Sequence, residues 1–357
     1  MIGIDYMLVH TMVPQIINSV FQNTKQQYYK VRRKRGWTGW ESYSNSSGIT
    51  LHFKRNKLGE LYALFVGFSP HVQLNGGVHN ANPCTIQQAV VSVADTLKGV
   101  GVHRKDFNLF GISSIEIGAN FIIDIDPQTV LASAVMYGKY FFLPHQCHAH
   151  FKYACCYNLK SKYKKGKFYW KSAQIDSATK LTYGELGFCE WNMMRIEFKI
   201  QRASKFDFMD FANLESLFST HASDLRTKFF WEQYEQMFFY SSKDVLKKRL
   251  SKTELKHYYQ WQVPGFWQSC NSRKLDREKL MYSGTAKCFD MKSHIRSLIA
   301  GQCEVGEFIH FPPNRISQKL LFFLPYQVKR YESNYQLHNI MRDQFCNTCY
   351  YFVTALI

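Results

Sequence analysis

Two stretches alternate so regularly that they constrain the fold more than any other feature of the chain. In SSIEIGANF, Ile115, Ile117, Ala119 and Phe121 recur at every second position, and in NMMRIEFKIQR Met194, Ile196, Phe198 and Ile200 do the same. Successive side chains of a β-strand point to opposite faces, so this period makes each stretch a strand with one apolar face on a core. The same rule gathers Glu116, Gly118 and Asn120 on the other face of the first strand, and Arg195, Glu197, Lys199 and Gln201 on that of the second. Each strand therefore presents one carboxylate on a polar face. Glu116 and Glu197 are candidate ligands of one shared cation; read singly, each is a surface acid on a half-exposed strand.

The flanking sequence supplies more strands and then helices. GITLHFKR alternates Ile49, Leu51 and Phe53 with polar positions, NKLG turns the chain and ELYALFVGF returns, an antiparallel hairpin whose return strand is the more deeply buried. Thr85 and Gln88 form a capping box ahead of Ile86, Val90, Val93 and Leu97, an apolar stripe at helical spacing that covers the sheet. After Ser204 the period becomes helical, and Ser-x-x-Asp at Ser241 and Ser-x-x-Glu at Ser251 open basic segments. The expected class is α+β: antiparallel sheets with covering helices over 1–205, followed by a mainly helical domain over 206–357. No internal repeat or low-complexity linker marks the boundary, which rests on the change of period alone.

Charge points to the partner. The net charge is +18, with 25 Lys and Arg against 12 Asp and Glu through residue 205, and 20 against 15 after it. Basicity of this size fits phosphate backbones or anionic lipid, and places the expected polyanion surface in the first part. No run of about 18 apolar residues would span a membrane. The opening MIGIDYMLVHTMVP carries Asp5 and has neither a basic leader nor a small-residue cleavage site, so no secretory signal and a cytoplasmic location are expected. Ten irregularly spaced cysteines fit reduced thiols rather than a disulfide framework. No glycine-rich nucleotide loop follows a strand, which argues against an ATPase motor, and no Gly-x-Ser-x-Gly or kinase-like set is present.

Two segments mix this charge with aromatics. TKQQYYKVRRKRGWTGWE (24–41) contains Arg32, Arg33, Lys34 and Arg35, which read either as a solvated charged loop or as a clamp on a nucleic-acid backbone. CCYNLKSKYKKGKFYWK (155–171) interleaves Tyr157, Tyr163 and Tyr169 with six lysines and no acid. Just before it, HQCHAH offers His145, His148 and His150; His-x-His on a strand aims two imidazoles one way, as a divalent metal requires. The Cys/His cluster from Cys147 to Cys156 leaves a zinc-dependent nucleic-acid module as an alternative. Cys346 and Cys349 form a lone Cys-x-x-Cys without the second pair that tetrahedral zinc needs.

Taken in order, SPHVQLNG, SSIEIGANF, CYNLKSKY and MRIEFKI make residues 1–205 resemble the filamentous-phage and plasmid replication initiators of the gene II type, which nick and rejoin DNA in rolling-circle replication. IDYMLVHTMVP looks like the family's first strand, and MRIEFKI is similar to its Arg-(Ile/Phe)-Glu-x-(Arg/Lys) strand. Ser114 stands where the family has arginine, and Glu116 where it has aspartate.

The resemblance implies a site-specific DNA endonuclease and strand transferase acting in the cytoplasm of a bacterial host. Its nicking tyrosine falls at Tyr157, with Lys160 and Lys162 beside it; Tyr163, Tyr153 and Tyr140 remain open as alternatives. Glu116 and Glu197 would hold Mg²⁺ or Mn²⁺. Arg32, Arg33, Lys34, Arg35, Lys164, Lys165, Lys167, Arg195 and Lys199 would contact DNA. Origin DNA, both supercoiled duplex and displaced single strand, would be the partner, with a host helicase and polymerase and no membrane. A basic DNA-binding protein of the same fold without the chemistry is the alternative.

Overall fold

The computed structural model describes residues 2–27, 29–30, 39–44, 49–70, 86–142, 156–157, 164–174, 192–201, 213–218, 220–241, 245–263, 265–285, 287 and 289–304. The class is α+β, as the alternation and the later helical period predict. Among the described residues, twelve strands run β1 (Ile2–Thr11), β2 (Tyr29–Lys30), β3 (Trp40–Ser44), β4 (Thr50–Arg55), β5 (Leu61–Phe68), β6 (Gly111–Ile122), β7 (Ala134–Tyr137), β8 (Tyr140–Phe141), β9 (Cys156–Tyr157), β10 (Lys164–Trp170), β11 (Met193–Gln201) and β12 (Met237–Phe239). The helices are α1 (Pro14–Gln27), α2 (Ile86–Gly99), α3 (Pro127–Ser133), α4 (Thr220–Glu235), α5 (Lys252–Trp261), α6 (Phe266–Ser269), α7 (Ser272–Gly284) and α8 (Met291–Glu304). No helix among the described residues is long and apolar enough to cross a membrane.

Nine strands form one antiparallel sheet in the order β2-β3-β4-β5-β1-β6-β11-β10-β9, and β12-β7-β8 form a second. The two strands singled out by their alternation, β6 and β11, are neighbours, with Lys199 opposite Glu116, Glu197 opposite Gly118 and Arg195 opposite Asn120. Their apolar sets share one face: Ile115, Ile117, Ala119 and Phe121 are buried with Met194, Ile196, Phe198 and Ile200. The β4–β5 hairpin also forms as expected. Its turn follows from Asn56, whose side-chain oxygen accepts from the Leu58 and Glu60 N–H groups at 2.9 Å each, and from Gly59, whose φ of 85° favours glycine.

Helices cover the apolar face. Ile17, Val20 and Phe21 of α1, Val93 and Leu97 of α2, Phe229, Phe230 and Tyr234 of α4, and Ile295 and Ile299 of α8 join the sheet residues in one core. Thr85, half of the expected capping box of α2, lies outside the described residues. The box at Ser251 is present: its hydroxyl accepts from the Glu254 N–H at 3.3 Å and the Glu254 carboxylate accepts from the Ser251 N–H at 2.7 Å. Residues 242–244, on which the box at Ser241 depends, are outside the described set. Helices α5 to α7 close a second cluster around Trp261, Trp267 and Tyr282 with Val135 and Met136 of β7.

One of two compact units runs Met1–Ile309. Residues on both sides of position 206 therefore fill one core, and α4 and α8 are part of the cover of the sheet. We predict that a fragment ending at residue 205 lacks a cooperative thermal transition and binds a hydrophobic dye, because the apolar face that α4 and α8 bury is left to solvent. A sharp calorimetric transition in that fragment would contradict this.

Candidate functional site

The polar face of β6 and β11 carries the densest set of buried charges among the described residues. Glu116 is 5% exposed, Glu197 2% and Asp5, from β1, 5%. Each of the three offers an oxygen within 4.8 Å of the others, so this buried triad can hold a metal ion. Glu116 and Glu197 converge as the alternation predicts.

Asp5 does not follow from alternation. Counting by twos from Met7 and Val9, which are in the core, would put Asp5 on the apolar face. The β1–β6 register slips between Ile4 and Tyr6, and a slip of this kind re-aims the residue within it. The only hint in the sequence is an acid inside an otherwise apolar strand.

Cations from adjacent strands stand between the carboxylates. Lys167 of β10 lies opposite Glu197 in the ladder, and its Nζ donates to Glu197 at 3.1 Å and to Glu116 at 2.9 Å. Lys199 donates to the other Glu116 oxygen at 2.5 Å. Arg195 splits its guanidinium three ways: to Asp5 at 2.6 Å, to Glu197 at 2.6 Å and to the side-chain oxygen of Asn120 at 2.6 Å. The Tyr169 hydroxyl also donates to Glu197.

Gly118 makes this crossing possible. A Cβ there would stand 2.9 Å from the Ile196 carbonyl oxygen and 3.0 Å from Cγ of Glu197. The two side chains of β11 lie across space that any other residue would fill.

The protonation pattern follows from burial and partners. Burial pushes Asp5 up to about 7, against the pull of Arg195 and with the help of Glu197. Glu197 is also penalised by burial, but Lys167 and Arg195 outweigh that and hold it well below the usual carboxylate range. The two act as a coupled pair in which Asp5 holds the proton more tightly. Burial opposes the charge on Lys167, yet Glu197 and Glu116 keep it firmly protonated. Burial, and then Glu197, raise the Tyr169 phenol well above its ordinary value; burial, and then Glu116, raise Tyr6 to about 12.

The other expected site residues divide clearly. Arg195 and Lys167, expected as DNA contacts, are committed to the carboxylates; Arg195 is 1% exposed, so its role here is to position Asp5 and Glu197. Lys199 is shared between Glu116 and the open face, and Lys165 is half-buried on β10. Lys164 belongs to β10, but its side chain lies outside the described set. The backbone of Tyr157 is in β9, directly opposite Lys167. Arg32, Arg33, Lys34, Arg35, His145, His148, His150, Cys147, Tyr153, Lys160, Lys162, Tyr163, Cys346 and Cys349 all fall outside the described residues.

The chain matches no protein-family model and no curated protein. The site defines it only as a protein with a buried three-carboxylate, three-cation centre on the polar face of an antiparallel sheet.

Because the folded Asp5 carboxyl binds its proton more tightly than the unfolded one, it stabilises the fold most below its ordinary value of 3.8, and that contribution is lost as pH rises to about 7. We predict that wild-type stability relative to Asp5→Asn falls between pH 4 and pH 8. Parallel Tm curves for the two proteins across that range would contradict it.

Proposed function

We propose that the protein is a rolling-circle replication initiator that nicks and rejoins DNA, with Tyr157 as nucleophile and Asp5, Glu116 and Glu197 as the cation site. The observation that carries this reading is the ladder register: position 157 stands opposite Lys167, whose ammonium bridges Glu116 and Glu197. β9 is an edge strand and the carboxylates lie inside the sheet on β1, β6 and β11, so β10, through Lys167, is the link between the tyrosine position and the carboxylates.

The donor set fits the cofactor. Three carboxylates are hard oxygen ligands of the kind that Mg²⁺ or Mn²⁺ takes, and the Lys167 ammonium already shows that a cation is stable between two of them. When bound, a divalent ion would neutralise charge growing on the phosphoryl oxygens.

The chain's own groups do the rest. A phenol with a pKa of about 10 becomes a usable nucleophile where positive charge stabilises its anion, which the lysine-rich segment around Tyr157 supplies. Its oxygen forms a bond to phosphorus while the bond to the 3′ oxygen breaks, and the phenolic proton is passed through solvent to that oxygen, which leaves as a 3′-hydroxyl. The 5′-phosphotyrosine keeps the energy of the broken ester, so a later 3′-hydroxyl can attack it, expel the phenol and close a strand. Lys167 and Lys199, which pair with Glu197 and Glu116, would turn to a phosphate if the carboxylates held a metal instead. Tyr169 and Tyr6 are poor nucleophiles, because burial disfavours their anions.

One observation favours a second reading, a basic DNA-binding protein of the same fold without chemistry: the three carboxylates already face three cations, so the cluster is also intelligible as a structural network. Supercoiled origin DNA incubated with the protein and Mg²⁺ separates the two. We expect nicked circles carrying protein on a 5′ end, lost in Tyr157→Phe although that variant still binds the origin. Wild type that binds but never nicks would favour the second reading, and an adduct surviving in Tyr157→Phe would move the nucleophile to another tyrosine.

A further inference from the structure

The polar face of the large sheet continues past the carboxylates, and its character changes. His10 of β1 stands opposite Phe65 of β5, and their rings stack at 5.5 Å between centroids with 20° between planes. Trp40 of β3 reaches the same Phe65 at 5.3 Å. Lys54, opposite Trp40 in the β3–β4 ladder, holds its ammonium 5.3 Å from the centre of the indole. Toward the carboxylates, Lys199 places its ammonium 5.2 Å from the centre of the Tyr6 ring while bonding Glu116.

All six side chains are half-buried, whereas alternate positions on the same strands, Leu51, Phe53, Leu64 and Val66, are in the core. A solvent-side face of an antiparallel sheet is ordinarily polar. Here aromatic rings share it with the cations Lys54 and Lys199 and with neutral polar side chains: His52, opposite Phe65 and bonded to Ser42 at 2.8 Å, and Ser113, bonded to His10 at 2.8 Å.

We propose that this row is a stacking track for unpaired nucleotides, leading a single DNA strand across β3, β4, β5 and β1 to the carboxylate site. The proposal rests on the reading of that site as a DNA-nicking centre and names the form of its substrate. Ring surfaces accept any base by stacking, and lysines set among them meet the phosphates between bases. In a duplex the bases are already stacked on one another, so the rings gain nothing from it. Charge complementarity favours one occupant: a polyanion complements Lys54, and a polyanion with flat apolar groups complements the rings as well.

Fluorescence anisotropy with labelled oligothymidylate, and with a hairpin duplex, tests this on the full chain without added Mg²⁺. Trp40→Leu and Phe65→Leu are expected to weaken single-strand binding at least about fivefold each while leaving duplex binding unchanged, the loss of one stacked base. Lys54→Gln is expected to lower the slope of log affinity against log salt by about 0.7, one phosphate contact fewer on a single strand. Should Phe65→Leu fail to fold, the other two decide. Variants with wild-type Tm that bind single strands like wild type overturn the track, as does wild-type protein that prefers the duplex. Protein that shows the track but never nicks supports the track and removes the nicking reading; protein that nicks while the variants bind normally does the reverse.

Discussion

Three carboxylates buried within 4.8 Å of one another repel, and the fold contains them only because ammonium and guanidinium groups from neighbouring strands stand between them. At short range in a poorly screened interior, both the repulsion and the compensating attraction are large. Lys167 is the centre of this balance, since its one ammonium serves Glu116 and Glu197 together. Removing one partner of a buried ion pair typically costs about 3–5 kcal/mol, because the remaining charge is left uncompensated. The strand order follows the same logic: β1, β6, β11 and β10 must be adjacent for Asp5, Glu116, Glu197 and Lys167 to meet.

On the proposed reading, such a network has two uses for the same charges. In the absence of substrate, Lys167 and Lys199 neutralise Glu116. On that reading, a divalent cation among the carboxylates would release those lysines toward a phosphate. Under this account the buried cluster is a store of oriented charge whose partners change when DNA arrives, and Gly118 is small so that the side chains of β11 can lie across it. The proposed stacking track would add a path for the strand, with Lys199 in contact with both Tyr6 and Glu116.

Much of this was legible in the sequence because a period of two is a strict code. Ile115 to Phe121 and Met194 to Ile200 fixed which side of each strand faced the core, and hence which side held Glu116 and Glu197. The β4–β5 hairpin and the Ser251 capping box were legible for the same local reasons. Asp5 was not, because its orientation depends on a register slip between two strands far apart in sequence. Arg195 read as a DNA contact because composition reports charge and not burial; its partners Asp5 and Asn120 are defined only once β1, β6 and β11 are side by side. The helical period after Ser204 correctly announced helices but not their destination, which is the core of the large sheet.

The claim on which the account turns is that Asp5, Glu116 and Glu197 bind one divalent cation in exchange for the Lys167 ammonium. Anomalous diffraction from crystals soaked in Mn²⁺ measures this directly. The account predicts a single strong peak ligated by oxygens of all three carboxylates, with the Lys167 ammonium withdrawn from between Glu116 and Glu197. Density showing that ammonium still bridging both glutamates at saturating Mn²⁺, with no peak among the three acids, would contradict it.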